Sequence, residues 1–163
     1  MTLRHFKLII NDKEEKAVGK MNQLCSRPAW IEIDLTAVKS NIQHIQAQLG
    51  PAVDVIAVVK ANGYGHGDVE VARAAIESGA RGLAVALLEE AVKLRQAGIK
   101  VPILVLGWVA PEFISVAIEH QITLTVFQAS WLETYYKEAS QSKKLSIHIK
   151  LDTGMGRIGI RTL

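Results

Sequence analysis

Val55-Ile56-Ala57-Val58-Val59-Lys60-Ala61-Asn62-Gly63-Tyr64-Gly65-His66-Gly67 is an apolar, largely β-branched run that stops at a lysine and passes into a stretch where glycine recurs at alternate positions. Apolar on both faces and closed by turn residues, the run reads as a buried strand of a parallel sheet. Its carboxyl end delivers the amine of Lys60 to a flexible turn.

C-terminal to this stretch the same cycle repeats. A helix over 68–78 carries Val69, Ala72, Ala75 and Ile76 on its inner face, opens with Asp68 at its positive end and stops at Gly79. A small apolar strand over 82–86 leads to a helix over 88–97 whose Glu89, Glu90, Lys93 and Arg95 read as a solvated face. Then come a strand over 101–106, a turn over 107–110, a helix opened by Pro111, a strand over 122–127 and a helix over 129–140. A last strand over 145–151 runs into Asp152-Thr153-Gly154-Met155-Gly156-Arg157. Trp108 and Trp131 read as packing residues.

N-terminal to it, Gly50-Pro51 closes a helix whose Val38, Ile42, Ile45 and Leu49 follow one face, with Thr36 as its expected cap. Before that helix, Trp30, Glu32 and Asp34 alternate with apolar residues as in a half-buried strand. Residues 1–27 do not repeat the pattern and read as an extension or linker, with room for a short helix in the charged stretch 11–20. Residues 28–163 are the regular domain.

Five strands separated by helices from Val53 onward call for a parallel α/β sheet, either open or closed as a barrel. In both, ligands gather at the carboxyl ends of the strands. Lys60 and the segment from Lys150 to Arg157 follow two different strands, so that rule places both motifs on one face of the molecule.

Composition narrows the partners. With 19 Lys and Arg against 16 Asp and Glu the net charge is +3, and the basic residues are scattered, so nucleic-acid binding has no support. No apolar run approaches the roughly 18 residues that span a bilayer. The lone Cys25 excludes an intramolecular disulfide and fits a reducing, cytoplasmic setting. The five histidines are scattered without metal-ligand spacing, and no nucleophilic serine elbow occurs.

A lysine at a strand end is often only a snorkelling charge. The context of Lys60 gives it a second reading, as an amine suited to Schiff-base chemistry with a carbonyl. Gly63, Gly65 and Gly67 let backbone amides approach an anion, and the Tyr64 phenol can donate to a phosphate oxygen. His66 reads as a structural hydrogen-bonder. Arg157 offers a fixed fork to a phenolate or carboxylate. Lys150 would repel Arg157 unless it points away or is neutralised, while Asp152 could pair at the surface or cap the turn.

Val58-Val59-Lys60-Ala61-Asn62-Gly63-Tyr64-Gly65-His66-Gly67 closely resembles the pyridoxal-phosphate attachment signature of bacterial alanine racemases. The segment Lys150-Leu151-Asp152-Thr153-Gly154-Met155-Gly156-Arg157-Ile158-Gly159 resembles the second hallmark of that family, and Trp30-Ile31-Glu32-Ile33-Asp34-Leu35 resembles its usual opening. The resemblance implies part of the (β/α)8, TIM-type barrel of fold-type III enzymes, with about five barrel strands present. It implies that Lys60 holds pyridoxal 5'-phosphate covalently and then serves as acid or base on one face of the substrate α-carbon. By the same resemblance Tyr64 binds the cofactor phosphate, Arg157 contacts the phenolic oxygen and the substrate carboxylate, and Lys150 matches a lysine often carried as a carbamate. The implied activity is interconversion of L- and D-alanine for peptidoglycan by a homodimer whose opposite-face tyrosine lies beyond this chain. Alternatives are a fold-type III racemase of another amino acid, or a pyridoxal-phosphate-binding fragment without turnover.

Overall fold

A computed structural model describes residues 7–11, 30–138 and 144–161. The charged stretch 12–20 and Cys25 lie outside the described residues.

The β-branched runs form strands where expected, trimmed at their ends: β3 is Ile56–Val58, β4 Gly82–Val85, β5 Ile103–Val105, β6 Thr123–Val126 and β7 Ile147–Ile149. They make one five-stranded sheet in the order β3-β4-β5-β6-β7, every neighbouring pair parallel. Chain order and sheet order coincide because each strand is followed by a crossover that returns the chain to the same starting edge.

Side chains alternate across a strand, so the register assigns one face to Ala57, Leu83, Val85, Ile103, Val105, Leu124 and Val126. These residues belong to the main core cluster. Leu83, Leu94, Ile103, Ile122 and Leu124 are all under 2 % exposed, and burying each stabilises the fold by roughly 1.5–3 kcal/mol. Helix α3 (Asp68–Glu77) meets the core through Ala72, Ala74 and Ala75, whose small side chains let it pack closely between the sheet and α1 (Leu35–Leu49).

Two further strands stand apart from this sheet. Trp30–Asp34 is β2, as its alternation predicts, and it pairs in parallel with β1, Lys7–Asn11, a segment assigned above to an extension. The cap of α1 also differs from the expectation. Asp34 holds the helix start through a single oxygen, Oδ1, which accepts from the amides of Thr36 (2.8 Å) and Ala37 (3.3 Å), and its negative charge suits the positive helix end. Of the apolar face of α1, Ile42 is buried, whereas Ile45 and Leu49 are close to half exposed because no described element covers them.

Helix α4 is Leu88–Gln96. Pro111 opens a short 3-10 turn, Pro111–Phe113, rather than the α-helix itself, which follows as α5, Ile114–Glu119. Helix α6 spans Ala129–Glu138. No described helix is long and apolar enough to cross a membrane.

Candidate active site

The turn after β3 is not a loose glycine loop. The Val59 amide donates to Ala84 O (2.9 Å), so the ladder with β4 runs one residue past the strand, and the chain then enters the helical turn α2, Lys60–Tyr64. Ala61, Asn62, Gly63, Tyr64 and Gly65 all have positive φ, making the turn left-handed. For Ala61, Asn62 and Tyr64 that backbone costs about 1–2 kcal/mol each, so the surroundings must hold it.

They do so with a closed set of hydrogen bonds. Gly63 N donates to Val59 O (2.9 Å), Gly65 N to Ala61 O (3.1 Å) and Gly67 N to Asn62 O (2.9 Å). His66 Nδ1 lies 3.0 Å from Gly63 O, the structural contact that its position suggests. Gly63 leaves little space, since an added Cβ would stand 3.3 Å from the Asp68 amide. The side chains of Lys60 and Tyr64 come together above this turn, with Lys60 Nζ 5.8 Å from the phenol ring centroid.

The second motif folds around Asp152. Lys150 directly follows β7, and its amide donates to Val126 O (2.9 Å). Asp152 Oδ1 accepts from the Gly154 amide (3.1 Å) and the Gly156 amide (3.0 Å), while Oδ2 accepts from Arg161 Nε (3.0 Å). The carboxylate therefore both caps the turn and forms an ion pair, the two roles left open above. The Gly156 and Gly154 amides, together with Arg161, hold its pKa below the ordinary carboxylate value. Position 159 requires glycine twice over, since its φ is 127° and a Cβ there would lie 2.6 Å from the Asp152 amide. Arg157 stands on this loop, exposed.

Because all five strands are parallel, Lys60 and Lys150 both emerge at the carboxyl edge of the sheet. They follow its outermost strands. Four strand spacings of about 4.8 Å put them about 19 Å apart along the sheet, a path that barrel curvature shortens across the mouth. Lys60 and Tyr64 thus meet at one strand end, while Lys150 and Arg157 stand on the segment that follows another, with β4, β5 and β6 between. At those intervening ends lie Leu87 and Trp108, both more than half exposed, and Gln128, whose Oε1 accepts from Trp108 Nε1 (3.1 Å). Trp131 is a packing residue, buried with Nε1 donating to Val109 O, but Trp108 belongs to this open rim instead.

Residues the sequence placed on a solvated face prove structural. Glu90 Oε1 accepts from the Ala61 amide (2.6 Å), and Oε2 accepts from the amides of Ala86 (2.8 Å) and Leu87 (3.0 Å). Lys93 Nζ sits 2.7 Å and 2.8 Å from the oxygens of Asp68, which is only 5 % exposed. Arg95 donates to the carbonyls of Ile99, Val101, His120 and Gln121, and burial lowers its pKa. Glu90 at the third helical position carries one legible signal, that of a side chain reaching back to the first free amides of its helix. Asp68 and Lys93 pair across 25 positions, and Arg95 reaches His120 and Gln121 across 25 and 26, so these contacts carry none.

Among the described residues, no carboxylate forms an ion pair with Lys60, Lys150 or Arg157. An unpaired primary amine, a phenol beside it and further cations along the same edge suit a ligand that is at once an aldehyde and an anion. Pyridoxal phosphate meets both requirements.

The family described as "Alanine racemase, N-terminal domain" matches residues 33–162. Alanine racemase 1 of Bacillus subtilis is 49% identical over 138 residues, covering 83% of this chain and 35% of that protein. An alanine racemase of Listeria monocytogenes is 53% identical over 137 residues, covering 83% of this chain and 36% of its own length. The crystal structure of the alanine racemase from Bacillus anthracis with bound L-Ala-P matches with a TM-score of 0.77 at 50% identity, over 82% of this chain and 34% of that one. A histidine racemase from Leuconostoc mesenteroides matches with a TM-score of 0.73 at 33% identity, over 78% of this chain and 34% of that one. The chain spans about a third of the length of the curated relatives it matches.

Proposed function

The chain belongs to the alanine racemase family, its parallel sheet being part of that family's (β/α)8 barrel, and from this we propose that it supplies the cofactor-binding part of a pyridoxal-phosphate-dependent alanine racemase. The observation that carries the reading is the emergence of Lys60 and of the Lys150–Arg157 segment at one edge of one parallel sheet.

In this proposal Lys60 anchors the cofactor through its amine and, once displaced by substrate, holds or returns a proton on one face of the α-carbon. Pyridoxal phosphate, when bound, supplies a conjugated ring that takes up the electron pair left on the α-carbon. Tyr64 donates its hydroxyl to the phosphate. Arg157 fixes the phenolic oxygen and the substrate carboxylate with its planar fork. Lys150 serves as a carbamate, which turns a repulsion with Arg157 into an attraction. Residues 28–163 form the cofactor domain, with residues 1–27 an extension. The opposite-face acid, closure of the barrel and the substrate pocket come from outside this chain, in a cytoplasmic homodimer that provides D-alanine for peptidoglycan.

The structural match to a histidine racemase favours a second reading in which the same chemistry serves a different amino acid. Borohydride reduction with pyridoxal phosphate followed by peptide mass spectrometry tests both readings at their common step. The expected label is on Lys60, and a label on another lysine, or none at saturating cofactor, overturns the assignment. Racemisation of alanine and of histidine by the cofactor-loaded homodimer, with the opposite-face acid, the closed barrel and the substrate pocket present, then separates the two readings.

A further inference from the structure

We infer that Glu90 is a positioning residue for Lys60, acting through the backbone of the left-handed turn rather than through any contact with substrate. This rests on the reading of Lys60 given above and adds to it a residue from the helix after the next strand.

The geometry is specific. One oxygen of Glu90 accepts the Ala61 amide at 2.6 Å, and that amide belongs to the peptide bond leaving Lys60. The other oxygen accepts the Ala86 and Leu87 amides at the carboxyl end of β4. A single carboxylate therefore ties the ends of two adjacent strands together, one bearing the amine. The tie falls where it is needed, because Ala61 is the first of five residues with positive φ and, among the described residues, no backbone acceptor takes its amide. Without the carboxylate, the Lys60–Ala61 peptide is free to rotate toward the ordinary right-handed region, carrying the Lys60 side chain with it. Asp68 holds the far side of the turn, accepting from Lys93, while its own amide reaches Asn62 Oδ1 (3.4 Å). The turn is thus held at both ends by α3 and α4, with Glu90 at the end that carries the amine.

A glutamine at 90 keeps one oxygen acceptor but turns an NH2 group toward amides that are themselves donors, so it cannot bridge both strand ends. Glu90→Gln is therefore expected to slow formation of the borohydride-reducible adduct at Lys60 by about tenfold or more, since a small displacement of a reacting group has effects of that order. It is also expected to speed exchange of the Ala61 amide. Arg95→Lys is the control, because it removes hydrogen bonds from the same helix at the opposite end of the sheet. It should lower the urea midpoint while leaving Lys60 labelling within about twofold of wild type. Labelling of Glu90→Gln at the wild-type rate, or an equal loss in Arg95→Lys, would overturn the inference.

Amide exchange in the unsubstituted chain keeps the inference falsifiable should Glu90→Gln fail to fold. The Ala61 amide should exchange about a hundredfold more slowly than in an open chain, and exchange at the open-chain rate overturns the tie. Failure of the parent reading looks different, as no label at Lys60 in the unsubstituted chain while the Ala61 amide stays protected.

Discussion

Individual charges do more here than their sequence neighbourhood suggests. Glu90, Lys93 and Arg95 sit at helical spacing among polar neighbours, and nothing local separates them from a solvated stripe. Half of their partners, the Ala61 amide, the Asp68 carboxylate and the carbonyls of His120 and Gln121, lie more than twenty positions away, which no periodicity encodes. The placement of Lys60 and Arg157 after strand ends was legible because glycines and an apolar run flank them, and those are local signals. The Asp68–Lys93 pair gives a prediction at this scale. Removing the ammonium leaves a buried carboxylate with the Val69 amide (2.9 Å) as its remaining strong donor. Lys93 itself is more than half exposed, so solvent screens part of the attraction and the full penalty for a deeply buried pair does not apply. Lys93→Met should therefore lower stability by about 1–2 kcal/mol, read as a shift of the urea midpoint at unchanged slope. An unshifted midpoint would mean that the pair contributes nothing.

Strands and helices were the most legible elements, since β3 to β7 are short apolar runs and the intervening helices carry alanine and leucine at core spacing. The cap of α1 was less so, because Asp34 ends a strand and caps a helix at once, and the strand pattern hid the second role from a reading that favoured Thr36. The β1–β2 pair could not be read because parallel pairing joins segments that share no local pattern. The loop after β7 is the element with a pH signature. Asp152 has a depressed pKa in the folded chain, so the stability it contributes is fully present above the ordinary value of 3.8 and is lost as pH falls through its lower folded value. From neutrality down to that ordinary value the loop should keep its form. The Gly154 and Gly156 amide resonances should then titrate together with a midpoint below 3.8, and a midpoint at or above it would contradict the two amide contacts to Oδ1.

Among the described residues, the five-stranded sheet has two open flanks. Each inner strand has two neighbours, but among the described residues β3 and β7 have one each, and their outer edges present unpaired amides and carbonyls. The apolar surface beside those edges matches this incompleteness: Ile56 is 48% exposed and Ile149 62%, on strands whose inner neighbours β4 and β6 bury most of their side chains. Strands as apolar as these suit a sheet covered on both sides, and the described residues leave part of that surface open. Two open edges and an uncovered apolar surface favour association of copies through edge-to-edge pairing and burial of the same side chains. A lysine at an exposed edge position opposes this, because burying its charge against another strand is costly while leaving it in water is not. The double substitution Ile56→Lys and Ile149→Lys should hence shift the chain toward monomer in light scattering at a given concentration. The far-UV spectrum should be unchanged, since both side chains already stand about half or more in solvent. If the substituted and parent chains scatter alike, the open edges are not what drives association, and the uncovered face of α1, with Ile45 and Leu49, becomes the surface to substitute next.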